Sequence, residues 1–289
     1  MADMKHSFSV TVGQTGFRIG SDWRQPLDQM RALYRGYPRP EIPDFTVRLF
    51  AQRPWRKLIR PSVMIGGDYM LPDAAPLSLA HGMLGAEMGM NLQMALGQRR
   101  YLLLHASAVE RDGKALLMTG ESGAGKSTLS ALLGERGWRF MGDEFALLDL
   151  ETGAIHAFPR LVSLKNEAIG LFDGQVDADR LGPLMRDTPK GDIRHLRPPD
   201  AAIARMDEPA RPALLLFPRF GHAPEIREIG EAEVFARLTQ ASTNYVALGE
   251  PGFDALAKLV KTIPTRAVDY PDTDAAIESV EQLWAELAT

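Results

Sequence analysis

The chain has 289 residues, 45% hydrophobic and 24% charged, which fits a folded protein and excludes extended disorder or a fibrous repeat. A formal net charge of -4 gives no overall pull toward nucleic acid or anionic lipid, so neither is expected as a partner. The absence of cysteine excludes disulfides, thiolate metal sites and thiol catalysis.

The first residues, Met1 to Ser9, carry Asp3, Lys5 and His6 and no apolar run, so no secretory signal is read there and the cytoplasm is the expected compartment. Phe8–Val12 alternates, Gly13–Gly16 supplies turn chemistry and Phe17–Ile19 resumes, predicting a hairpin. A helix follows, with Pro26 tolerated in its first turn and Leu27, Met30 and Leu33 at helical spacing. Phe45–Phe50 alternates as a strand. Arg53–Pro61, with Arg53, Arg56, Lys57, Arg60 and Trp55, reads as a solvated loop, the alternative being a surface for an acidic partner. Leu77–Gly97 is the one long apolar stretch, but His81, Glu87, Asn91 and Gln93 make it too polar to cross a bilayer. It reads as a methionine-rich core helix.

From Tyr101 short apolar runs alternate with glycines: Leu102–Leu104, Ala115–Met118 and Phe145–Leu148. Such runs mark buried strands of an α/β sheet. The expected division is therefore a small α+β domain over 1–99 and an α/β domain over 100–289. Prolines between Pro183 and Pro212 interrupt regular structure before a strand at Ala213–Phe217, and two amphipathic helices follow, around Phe253–Val260 and Ala275–Leu287.

Gly120-Glu121-Ser122-Gly123-Ala124-Gly125-Lys126-Ser127 satisfies G-x-x-x-x-G-K-[ST] in full. Glycines let the loop curl so that backbone N–H groups face phosphate oxygens; Lys126 reaches the β- and γ-phosphates and Ser127 offers its hydroxyl to Mg²⁺. Thr128 begins a helix whose positive end faces the same anion. The apolar run Ala115–Met118 enters the loop as a strand, and Leu129, Leu132 and Leu133 leave it at helical spacing. Downstream, Trp138–Met141 reads as a strand ending at Asp143-Glu144. Carboxylates in that position can hold Mg²⁺, orient a nucleophile or take its proton; the alternative is a plain turn.

With His105 opening a strand, Asp112-Gly113 as a turn, the phosphate loop and Asp143-Glu144 in this order, residues 105–148 resemble the catalytic domain of bacterial HPr kinase/phosphorylase. Pro159–Asn166, Thr188–Gly191, His195, Phe217–Phe220 and Asn244-Tyr245 extend the likeness to the HPr kinase-related kinases over 100–289. The resemblance implies a P-loop kinase domain with a central mixed sheet, of the HPr kinase and phosphoenolpyruvate carboxykinase type. It places Asp143 as general base, Glu144 near Mg²⁺, His105 close to the transferred phosphate, and Lys165, Asn166, Lys190, Arg194 and His195 as acceptor or phosphate contacts. It also implies a homo-oligomer.

The sequence departs from that family at Glu144, where a second Asp is usual, at Thr128, and at Ser163-Leu164-Lys165-Asn166, which replaces the Glu-x-Arg-Gly signature of the phosphorylase reaction. The expected activity is thus an ATP- and Mg²⁺-dependent kinase without the reverse reaction. Its expected acceptor is a serine hydroxyl of a peptide or small protein. A small-molecule hydroxyl and a nucleotide-dependent regulator are the alternatives.

Overall fold

In the computed structural model, which describes residues 4–287, the first two strands are joined by only two residues. Val12 of β1 (His6–Val12) pairs with Thr15 of β2 (Thr15–Ser21), and Gly13 supplies the left-handed φ of 54° that so tight a turn needs. Helix α1 (Arg24–Leu33) buries Leu27, Met30 and Leu33, the spacing read from the sequence. Strand β3 (Phe45–Phe50) lies parallel to β2 and antiparallel to β4 (Ser62–Gly67), and β5 (Leu77–Ser78) completes a five-stranded sheet in the order β1-β2-β3-β4-β5. Helix α2 (Gly82–Gly97) is the expected methionine-rich core helix: Met83, Met90 and Met94 are fully buried, while Met88 faces out. Gly89 allows the helix to lie close to the sheet, because a Cβ there would fall 2.4 Å from Val47 Cγ1.

The chain continues through β6 (Tyr101–Leu104), β7 (Ala106–Arg111), β8 (Lys114–Thr119), α3 (Lys126–Glu135), β9 (Arg139–Gly142), β10 (Ala146–Asp149) and β11 (Ile155–His156). Three short strands follow, β12 (Val162–Lys165), β13 (Met185–Thr188) and β14 (Gly191–Leu196), forming a sheet of their own in the order β12-β14-β13. The remainder comprises α4 (Asp200–Ala204), β15 (Arg211–Phe220), β16 (Glu225–Glu228), α5 (Glu231–Ala241), α6 (Tyr245–Leu248), α7 (Glu250–Thr262), β17 (Thr265–Tyr270) and α8 (Thr273–Glu286).

The central sheet has six strands in the order β16-β17-β15-β8-β7-β9 and is mixed: β15 runs parallel to β8 and β17, whereas β7 is antiparallel to β8 and β9. Both its faces are covered, and the two-residue period of a strand sorts the side chains between them. Leu116 and Met118 of β8, with Leu214 and Leu216 of β15, join Leu129 and Leu133 of α3 and Val280 of α8. Ala115, Leu117, Leu215 and Phe217 point the other way, toward a second sheet ordered β11-β10-β6 and toward Leu238 of α5 and Leu256 of α7.

The chain divides into two compact units, one made of residues up to Gln98 with Ser163–Arg197, the other of Arg99–Val162 with Pro198 onward. The sequence reading placed 163–197 in one continuous C-terminal domain; in the structure this segment groups with the N-terminal residues. Arg197 Nη2 donates to Arg35 O at 2.9 Å, Arg35 pairs with Asp179 at 2.8 Å, and the His81 ring bonds Arg186 O at 2.8 Å. Local periodicity carries no signal for such pairings. No helix among the described residues is long and apolar enough to cross a membrane.

Candidate nucleotide site

Strand β8 runs buried from Ala115 to Thr119 and the chain then turns on three glycines, Gly120 (φ 153°), Gly123 (φ 89°) and Gly125 (φ 88°), all at values that side-chain-bearing residues avoid. Helix α3 starts at Lys126 with left-handed Gly125 as its cap, so no side chain closes the first-turn amides at Ser127 and Thr128. Uncapped amides at a helix start suit an anion. The buried Lys126 ammonium lies within the curl, donating to Gly120 O at 2.7 Å and Glu121 O at 2.9 Å. From outside, Tyr270 at the end of β17 donates its hydroxyl to Ala124 O at 3.1 Å. Burial pushes the Tyr270 phenol well above its ordinary pKa, so it remains a donor at neutral pH. Glu121, Ser122 and Gly123 form the exposed crest.

The acidic pair stands at the same edge of the sheet. Thr119, at the end of β8, pairs with Ala106, and Gly142, at the end of β9, pairs with Ala108 on the other side of β7. Strands β8 and β9 therefore point the same way and finish flanking the start of β7, about 10 Å apart across two strand spacings. The β7–β9 register shifts between Ala108 and Val109, a bulge that re-aims the chain as it leaves β9. Gly142 fits here because a Cβ would fall 2.9 Å from Phe145 O and 3.1 Å from Phe158 O. Asp143 is buried, and Ser107 Oγ on β7 lies 3.0 Å from its Oδ1 and 3.1 Å from its backbone oxygen.

His105 sits between the two features. Its carbonyl accepts from Thr119 Oγ1 at 2.9 Å, its N–H donates to Ala241 O at 2.8 Å, and its ring Nδ1 lies 3.1 Å from Glu144 O and 3.6 Å from Glu144 Oε2. One half-buried imidazole is thus tied to the root of the loop and to the second carboxylate.

Beside the loop lies a cleft of about 900 Å³, walled by Gly120–Ala124, His105, Phe217–Phe220 of β15, Arg227 of β16, and Arg237 and Gln240 of α5. Its rim is cationic. The Arg237 guanidinium lies 4.8 Å over the Phe217 ring, and Arg219 makes a bidentate pair with buried Asp269, to which Arg227 also approaches at 3.7 Å. The bond from Arg219, opposed by burial and reinforced by both guanidinium charges, holds the Asp269 carboxyl below its usual range. Among the described residues no cluster of three or more His, Asp or Glu side chains could by itself hold a metal ion.

Within unit two, the loop residues, His105, Asp143 and Glu144 are brought to one sheet edge. Lys165, Asn166, Lys190, Arg194 and His195 belong to the other unit. There Asn166 takes a left-handed φ of 49° and its Oδ1 accepts from Asp192 N at 3.0 Å, Arg194 bonds Gly182 O and Asp173, and His195 is fully buried. Sequence reasoning missed Ser107, Tyr270 and the arginines of the cleft. Ser107 had a signal: a strand read from the sequence as opening at His105 would place it, two residues on, on the same face, although β7 itself begins at Ala106.

No family model matches the chain, and no curated protein matches it significantly. Among solved structures, the Hpr(Ser) kinase/phosphatase from Coxiella burnetii is similar over 64% of this chain and 98% of its own, at 15% identity and a TM-score of 0.28. So slight an overlap carries no functional weight, and the chemistry of the site rests on this chain's own residues.

Proposed function

We propose that this chain is an ATP- and Mg²⁺-dependent phosphotransferase that moves the γ-phosphate to a hydroxyl group, with serine of a peptide or small protein as the acceptor. The observation that carries this reading is the glycine-curled loop with Lys126 inside it, standing at the same sheet edge as a buried, hydrogen-bonded Asp143. A loop alone supports binding; a positioned carboxylate beside it supports transfer.

In this reading the loop amides and the first turn of α3 hold the phosphates, and Lys126 exchanges its two carbonyl partners for phosphate oxygens. The cleft beside the loop has the volume of a small-molecule site and receives the nucleoside. Ser127, Asp143 and Glu144 offer hard oxygen donors only, the set that would hold a magnesium ion. Bound there, the ion would offset phosphate charge. Asp143 orients the acceptor hydroxyl and takes its proton as the new O–P bond forms and the bond between the γ-phosphorus and the β–γ bridging oxygen breaks, leaving ADP; positioned proton transfer of this kind contributes about 10²–10⁴-fold. His105, between loop and Glu144, faces the group in transit.

The test is incubation of the purified protein with γ-labelled ATP, Mg²⁺ and extract of the native host. Label on a phosphoserine, lost with Asp143→Asn, is the expected result. Label recovered only as inorganic phosphate contradicts the kinase reading.

A further inference from the structure

Although the whole chain is acidic, the stretch from Ala51 to Gly67 carries four cations, Arg53, Arg56, Lys57 and Arg60, and no carboxylate. Residues 51–61 of it form the connection between β3 and β4, a single 3₁₀ turn at Pro54–Lys57 followed by Leu58 and Ile59. Its large apolar side chains face solvent: Leu58 is 87% exposed, Ile59 66% and Trp55 52%. Single exposed leucines are ordinary on protein surfaces, but three exposed apolar side chains on one short loop that also carries three arginines are not.

The loop is held in this shape by its own bonds. Ile59 N donates to Trp55 O at 2.9 Å, Arg56 Nη1 to Arg60 O at 3.2 Å, and Trp23 Nε1 to Lys57 O at 3.0 Å. Arg60 takes a left-handed φ of 45°. Lys57 is neutralised by Asp22 at 2.8 Å. Among the described residues no carboxylate pairs with Arg53, Arg56 or Arg60, and the Arg53 guanidinium lies over the Trp55 ring at 5.2 Å.

We infer that this knuckle docks the chain on an anionic lipid surface, with Leu58 and Ile59 entering the boundary between headgroups and acyl chains, Trp55 at the interface, and Arg53, Arg56 and Arg60 on headgroup anions. Lipid fits better than an acidic protein because the apolar groups stand out at the tip of a turn instead of lining a recess, so a soft medium that closes around them buries them. Weak anchoring of this kind takes two signals, apolar insertion and a polybasic patch, and this loop carries both. The overall charge of -4 does not oppose it, since attraction to headgroups falls off within a Debye length and is decided by the nearest groups. The inference is independent of the phosphotransferase reading and concerns binding on a surface, not a span.

The experiment is co-sedimentation of the full-length protein, without nucleotide, with phosphatidylcholine vesicles and with vesicles also containing phosphatidylserine. The wild type is expected to bind the anionic vesicles on the order of tenfold more tightly, with the difference shrinking as salt rises. Two variants separate the signals: Leu58→Ser with Ile59→Ser, and Arg53→Gln with Arg56→Gln and Arg60→Gln. Arg53, Leu58, Ile59 and Arg60 are exposed and Arg56 is half-buried, so a cooperative melt is recorded for each variant to show that it is folded, and each should lose about tenfold in partitioning. Equal binding to both vesicle types, or variants that sediment like the wild type, overturns the inference. So does binding to a polyglutamate peptide, abolished by the arginine variant, in a protein that ignores vesicles; that outcome assigns the patch to an acidic protein.

Discussion

Ser107 and Asp143 meet between neighbouring strands, the serine hydroxyl 3.0 Å from the carboxylate Oδ1 and both residues shut away from solvent. A buried carboxylate held by a short side chain on a rigid strand has a fixed direction. Ser107→Ala is expected to lower stability by about 1.5–3 kcal/mol, the range for a hydrogen bond to a charged group. Turnover should fall on the order of tenfold while ATP affinity stays unchanged, because the loop is untouched. Ser107→Thr, which keeps the hydroxyl, should recover part of the rate. Calorimetric ATP titration alongside initial rates checks the split; loss of affinity with normal turnover contradicts it.

Tyr270 ties down the glycine loop at 120–127 from a position 146 residues away in sequence. Tyr270→Phe removes the donor to Ala124 O and leaves the fold's aromatic packing in place. ATP affinity should drop about three- to tenfold, equivalent to about 1 kcal/mol. Titration calorimetry measures it directly.

Gly142 stands where two backbone oxygens leave no room for a methyl group. Gly142→Ala should destabilise the protein by about 1–3 kcal/mol, as overpacking does, and lower the melting temperature. A melting temperature equal to that of the wild type would mean that the turn after β9 has slack.

The Arg219–Asp269 pair makes a pH prediction. The folded pKa of Asp269 is depressed below the ordinary 3.8, so its stabilisation is fully present above that value and is lost as pH falls through the lower, folded value. Arg219 stays protonated throughout. Urea midpoints measured from about pH 5 down to about pH 2 should fall for the wild type, and the fall should be shallower for Asp269→Asn, which has no proton to take up.

Whether a feature could be read in the sequence depends on where its signal resides. The curled loop at 120–127 was legible because three glycines are demanded by φ values that other residues avoid, and those demands are local. Asp143 and Glu144 were legible as a strand end, α1 and β3 as periodic patterns, and α2 and β8 as apolar runs. The role of Tyr270 was not, because only the parallel pairing of β15 with both β8 and β17 brings β17 near the loop. The grouping of 163–197 with the N-terminal residues had no local signal for a similar reason: its strands are short, prolines surround them, and the bonds that fix it run to Arg35 and His81, far away in the chain. Strands β16 and β17 and helix α5 were passed over, and with them Arg227 and Arg237 of the cleft.

The central claim is that the loop at 120–127 holds a nucleoside triphosphate through Lys126, and titration of intact protein with ATP and Mg²⁺ in a calorimeter tests it most directly. The account predicts one saturable site for the wild type and no measurable uptake for Lys126→Ala in protein that still melts cooperatively. Wild-type protein that takes up neither ATP nor GTP, or a Lys126→Ala variant that binds as the wild type does, contradicts it.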